Sequence, residues 1–187
     1  SNTNITTVNG VEAATITSPE DLDPEATQIA LDTNGLLLNI SDSTGGTVKD
    51  IEVSGLSVET DGTGKNTSVV TAAYNDTGDP NGERIEDLTV SNNIITHEGT
   101  AGPAINVTSE LVSADISDNE FEPAEEDVQI DGVSLGNVTD GDGADDVTVA
   151  VSDNTFRSAA NATYINQTTG NDPLSIEITE NDIASLS

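Results

Sequence analysis

The chain has 187 residues, the size of one domain, with 35 Asp and Glu against 4 Lys and Arg, for a formal net charge of −31. Lys49, Lys65, Arg84 and Arg157 cannot build a basic patch, so nucleic acid and anionic membranes are poor partners. With no Cys there is neither a disulfide framework nor a thiolate metal site, and no apolar run is long enough to insert across a bilayer.

The acidic residues are interleaved with Val, Ile and Leu, which argues for a fold rather than a disordered polyanion. Residues 1–28 contain two alternating stretches, Ile5-Thr6-Thr7-Val8 and Ala14-Thr15-Ile16-Thr17, read as a cap or a strand exchanged with a neighbour. A short helical turn is expected near Pro19-Glu20-Asp21-Leu22. Residues 29–187 form the main domain. An upstream unit runs through Ile29-Ala30-Leu31 and Leu36-Leu37-Leu38-Asn39-Ile40.

One motif then recurs: apolar, any, apolar, Ser or Thr, any, often Asn, any, apolar. It reads Ile51-Glu52-Val53-Ser54-Gly55-Leu56-Ser57-Val58, then Leu88 to Ile95, Ala114 to Phe121, Val149 to Phe156 and Ile176 to Ile183. Alternation predicts a strand with one buried face. The polar pair breaks it at a tight bend, where Asn tolerates the left-handed conformation. The apolar residue beyond the bend points inward again. Second apolar segments at 69–74, 104–107, 128–133 and 162–165 follow the first four motifs and give each unit at least two faces.

The repeated Ser/Thr-x-Asn bend resembles the repeats of pectate-lyase-like, right-handed parallel β-helix proteins over about Asp50 to Ala184. Leu56 replaces Asn in the first copy. The resemblance implies an all-β solenoid of about five to six coils, with a β-sandwich as the structural alternative. The acidic, Lys-poor composition resembles that of haloarchaeal proteins. At molar salt the Debye length is about 3 Å, so surface carboxylates barely repel.

Asn-x-Ser/Thr occurs at Asn4, Asn39, Asn66, Asn75, Asn106, Asn137, Asn161 and Asn166. These are glycosylation candidates and point to an extracellular, cell-surface or virion-surface location. Asp140, Asp142, Asp145 and Asp146 offer oxygen ligands to a possible calcium ion, without the full spacing of an EF-hand. No other cofactor is expected.

Enzymes of the resembled family use basic residues, clustered acids or converging Asp pairs. Here Arg84 and Arg157 are expected in salt bridges. Asp115, Asp118 and Asp153 could stack at comparable positions. His97, the one histidine, is expected in a solvent-exposed loop. The last motif ends at Ile183, and Ala184-Ser185-Leu186-Ser187 cannot cover a solenoid end, so self-association through open coil ends or a longer solenoid is expected. The reading that follows is a non-catalytic structural or adhesive module. The alternatives are a polysaccharide-active lyase, hydrolase or epimerase, or passive glycan binding.

Overall fold

A computed structural model describes residues 4–8, 14–17, 28–31, 36–40, 47–60, 68, 70–72, 84–97, 102–125, 128–138, 146–167 and 173–184. The described residues hold 19 β-strands and no helix, and every pairing is parallel. The strands align in three rows. Row one is β1 (Asn4–Val8), β4 (Leu36–Ile40), β7 (Val70–Ala72), β10 (Pro103–Val107), β14 (Ile130–Val138) and β17 (Ala159–Gln167). Row two is β2 (Ala14–Thr17), β5 (Thr47–Ser54), β8 (Arg84–Ser91), β12 (Ser113–Ser117), β15 (Val147–Ser152) and β18 (Leu174–Thr179). Row three is β3 (Gln28–Leu31), β6 (Ser57–Thr60), β9 (Ile94–His97), β13 (Glu120–Pro123), β16 (Thr155–Arg157) and β19 (Asp182–Ala184). The short β11 (Glu110–Leu111) bridges β8 and β14, joining rows one and two into a 13-stranded sheet beside the six-stranded row three.

The chain visits the three rows in turn and then repeats, which is consistent with a β-helix-like solenoid. Parallel pairing throughout departs from the β-sandwich alternative, whose sheets are antiparallel. Of the segment 1–28, β1 and β2 pair with β4 and β5 of the same chain. The helical turn expected at 19–22 lies outside the described residues. The recurrent motif supplies rows two and three, and the second apolar segments supply row one.

Register explains the core. Val53, Val90, Ile116 and Val151 stack one above another, each almost fully buried. In row three Val58, Ile95, Phe121 and Phe156 do the same. The two Phe rings lie parallel with centroids 4.7 Å apart. Gly132 lies against this stack: a Cβ there would come within 2.6 Å of the Ala162 carbonyl oxygen and 2.5 Å of the Phe156 ring.

The bend differs from its expected mechanism. The left-handed residue is the one before the motif Asn: Gly55, Asn92, Asp118, Asp153 and Glu180, with φ between 55° and 67°. The motif Asn instead turns inward. Asn93, Asn119 and Asn154 are at most 2% exposed. Asn119 Oδ1 accepts from the backbone N–H and Nδ2 of Asn93 at 3.1 and 2.9 Å. Asn154 Oδ1 accepts the same pair from Asn119, and Asn181 Oδ1 the same pair from Asn154. The second Nδ2 hydrogen of each reaches a backbone carbonyl, at Val53, Val90, Ile116 and Val151 in turn. For Asn119 and Asn154 both amide hydrogens and two acceptor positions are used, so the buried amide is saturated. Leu56 heads the ladder, its N–H donating to Asn93 Oδ1.

Replacing Asn119 by Ala removes the acceptor for two buried donors of Asn93. At about 1–3 kcal/mol per orphaned group, Asn119→Ala is expected to lower unfolding free energy by about 3 kcal/mol, read by denaturant titration. A loss below about 1 kcal/mol would contradict a saturated ladder.

Candidate functional site

A concavity lies on the outer side of row two. It is an open groove of about 660 Å³ lined chiefly by Lys49, Glu86, Asp87, Ser113, Asp115 and Asp146, with Thr89 and Thr148 hydroxyls along its floor. Strand alternation creates it. Leu88, Val90, Ala114, Ile116 and Val149 point inward, leaving Thr89, Asp115 and Thr148 outward. The upper wall forms where β8 kinks at Asp87, whose φ is 57°. Ser113 clasps that kink: Asp87 N–H donates to Ser113 Oγ at 2.8 Å, and the Ser113 hydroxyl donates back to Asp87 Oδ1 at 2.9 Å.

Cations are placed where acids would otherwise face acids. Lys49 is the register partner of Glu86 and forms an ion pair with it. Arg84 donates to Glu86 at 2.8 Å and reaches Glu110, its register partner, at 3.7 Å. Burial works against the charge on Glu86, but hydrogen bonds from Lys49 and Arg84 outweigh it and hold the carboxyl below its ordinary range. On row three, Arg157 pairs with Glu120 and with Glu122 at 3.1 Å. There burial, reinforced by the Glu120 charge, pushes the Glu122 carboxyl above its ordinary range despite Arg157. The expected salt bridges of Arg84 and Arg157 are therefore present, with Arg84 at the start of strand β8.

The groove can accept hydrogen bonds from hydroxyl-rich ligands through Asp87, Asp115 and Asp146, while Lys49 is engaged by Glu86. Asp115, Asp118 and Asp153 do not form one stack. Asp115 has Thr89 and Ala150 as register partners. Asp118 and Asp153 lie at the left-handed bend, outside the groove, where carboxylates favour that conformation. His97 is not in an exposed loop: it is fully buried in β9, where alternation turns it inward, with Nε2 2.7 Å from the Gly102 carbonyl oxygen. Among the described residues no group of three or more His, Asp or Glu could hold a metal ion. Of the calcium candidates, Asp140, Asp142 and Asp145 lie outside the described residues, and Asp146 is an exposed residue at the groove edge.

A second, smaller cup of about 190 Å³ sits on row one between Pro103, Asp131, Ser134, Asn161 and Tyr164. Tyr164 is 56% exposed, and Asn161 Nδ2 donates to Asp131 at 2.8 Å. Of the glycosylation candidates, Asn161 and Asn166 are exposed, Asn106 and Asn137 are half-buried, Asn4 and Asn39 stand in strands, and Asn66 and Asn75 lie outside the described residues. Sequence reasoning missed the groove, since its walls come from four successive repeats. Its one readable sign was the outward residue two positions before each motif Ser or Thr. No family model, curated protein or solved structure matches this chain.

The two perturbed carboxyls predict opposite pH behaviour. Glu86 titrates below its unfolded value, so its stabilisation is full above the unfolded pKa and is lost as pH falls through the folded one. Glu86→Gln should destabilise at pH 7 by roughly 0.5–1 kcal/mol in low salt, with the difference vanishing in acid. Glu122 titrates above its unfolded value, so its penalty appears as pH rises through that window, and Glu122→Gln should be neutral or stabilising at pH 7. Thermal unfolding of both variants from pH 3 to 7 checks the signs.

Proposed function

We propose that this chain is a right-handed parallel β-helix of about five to six coils, acting as a non-catalytic structural or adhesive module outside the cell. Its place would be a cell surface or a virion surface in a high-salt setting. The observation that carries the reading is the edge formed by β17, β18 and β19. Ile176, Ile178 and Ile183 are 38%, 53% and 58% exposed, whereas Val149, Val151 and Phe156 at the same register positions one rung earlier are buried. Among the described residues each of these strands pairs on one side. Apolar side chains beside unpaired backbone groups require a cover, supplied by further coils of a longer solenoid or by a second copy.

A second copy suits that edge. Ala14, Ile16 and Thr17 occupy the register positions of Ile176, Ile178 and Thr179, and Ile29 that of Ile183, at the opposite end of the rows. Head-to-tail stacking would continue all three rows, and a heterologous contact that does not close grows a filament. Repulsion between chains of charge −31 makes such stacking dependent on salt. Sedimentation and electron microscopy in molar KCl are expected to show assembly that Ile178→Glu abolishes while circular dichroism stays unchanged. A strictly monomeric wild-type particle would sink the filament form of the reading.

The row-two groove favours a second reading, a polysaccharide-active site or a glycan-binding cleft. The groove's carboxylates and hydroxyls can hydrogen-bond a hydroxyl-rich ligand, which favours glycan binding. A polysaccharide panel assayed with Asp115→Asn and Asp146→Asn is expected to give no turnover. Hydrolysis or elimination lost in either variant would replace the structural reading with the enzymatic one.

A further inference from the structure

We infer that, among the described strands, N-glycans are confined to one face, the outer side of row one, leaving the outer sides of rows two and three bare; Asn66 and Asn75 lie outside the described residues. The inference rests on the extracellular part of the proposed function and says which surface is modified. It starts from a comparison of asparagines by row. The row-one strands contain Asn4, Asn39, Asn106, Asn137, Asn161 and Asn166, and every one has Ser or Thr two positions later. The bends between rows two and three contain Asn92, Asn93, Asn119, Asn154 and Asn181, and none has. Composition alone would not sort the two sets so cleanly.

Row two strengthens the contrast. A Ser or Thr stands at every rung of it, at Thr17, Ser54, Ser91, Ser117, Ser152 and Thr179, all in register. Each could complete an acceptor site with an Asn two residues earlier. Those earlier positions are Thr15, Glu52, Thr89, Asp115, Ala150 and Glu177. Asn is absent from all six, although Glu177 and Asp115 are exposed and Asp115 lines the groove.

Geometry makes row one able to carry the load. Asn106 alternates with Ile105 and Val107, both fully buried, so its amide points outward, and Thr108 beside it is exposed. Asn161 and Asn166 are exposed on β17, where their Nδ2 groups make only surface contacts, to Asp131 and to the Gly136 carbonyl at 3.3 Å. Asn39 and Asn106 occupy the same register line, on either side of Thr71. A bulky, hydrated glycan at these places meets no core contact. The same glycan on row two would fill the groove and crowd the Lys49–Glu86 pair.

The test is secretion of the full chain from an N-glycosylating halophilic host, with glycopeptide mass spectra of the folded protein. Glycan is expected on the Asn106, Asn161 and Asn166 peptides. A triple Asn→Gln variant should lose those masses and keep the wild-type melting temperature. Asp115→Asn creates an acceptor site on row two and reports whether the host reaches that face. Row-one peptides found bare in the wild type overturn the inference whatever Asp115→Asn shows, as does a triple variant that fails to fold. Sedimentation of the same samples reads assembly separately, so loss of the structural-module reading is distinguishable from loss of this one.

Discussion

The buried amides of Asn93, Asn119 and Asn154 can all be paired only while successive rungs stay in one register. Each amide must find its acceptor on the next rung and a carbonyl on the one before. A slip of one residue would leave several buried donors unpaired and would also turn the Val and Ile stacks of row two toward water. The asparagine ladder and the apolar stacks therefore enforce the same alignment. The rest of the molecule depends on that alignment, including the groove and the pairing of scarce cations with acids.

Parallel in-register stacking has an electrostatic cost that the same alignment manages. Residues of one kind on adjacent rungs face each other at strand spacing, so stacked acids would repel. Lys49 and Arg84 sit opposite Glu86 and Glu110, and Arg157 reaches across to Glu120 and Glu122. Three cations thus serve four carboxylates where rungs meet. Among the described residues no Asp or Glu is buried, so added salt would screen the remaining charge.

The three rows divide the surface into faces of different chemistry. Row one carries the acceptor asparagines and the Tyr164 cup. Row two carries the groove. The β18–β19 edge exposes isoleucines at positions that are buried one rung earlier, at Val149, Val151 and Phe156. A module proposed to stack end to end and to be modified along one side uses these faces for separate purposes, because strand alternation sends neighbouring residues to opposite sides of each sheet.

The alternating motifs and their Ser/Thr-x-Asn bends were enough to predict strands, a repeating all-β architecture and the inward apolar positions from sequence alone. Local periodicity and backbone preference encode those features. What the motif Asn does was not legible. A left-handed bend and a buried side-chain ladder place the same residue type at the same spacing, and only contacts between residues 26 to 35 positions apart separate them. The same holds for His97, whose polarity suggested solvent and whose strand position turns it inward, and for Asp115, which shares a motif with Asp118 but not a face. The acceptor sites were visible as a scattered set of eight. The gathering of six of them on one row appeared only once register showed which strands lie side by side, because the loops between rows vary in length and hide that adjacency from the linear chain.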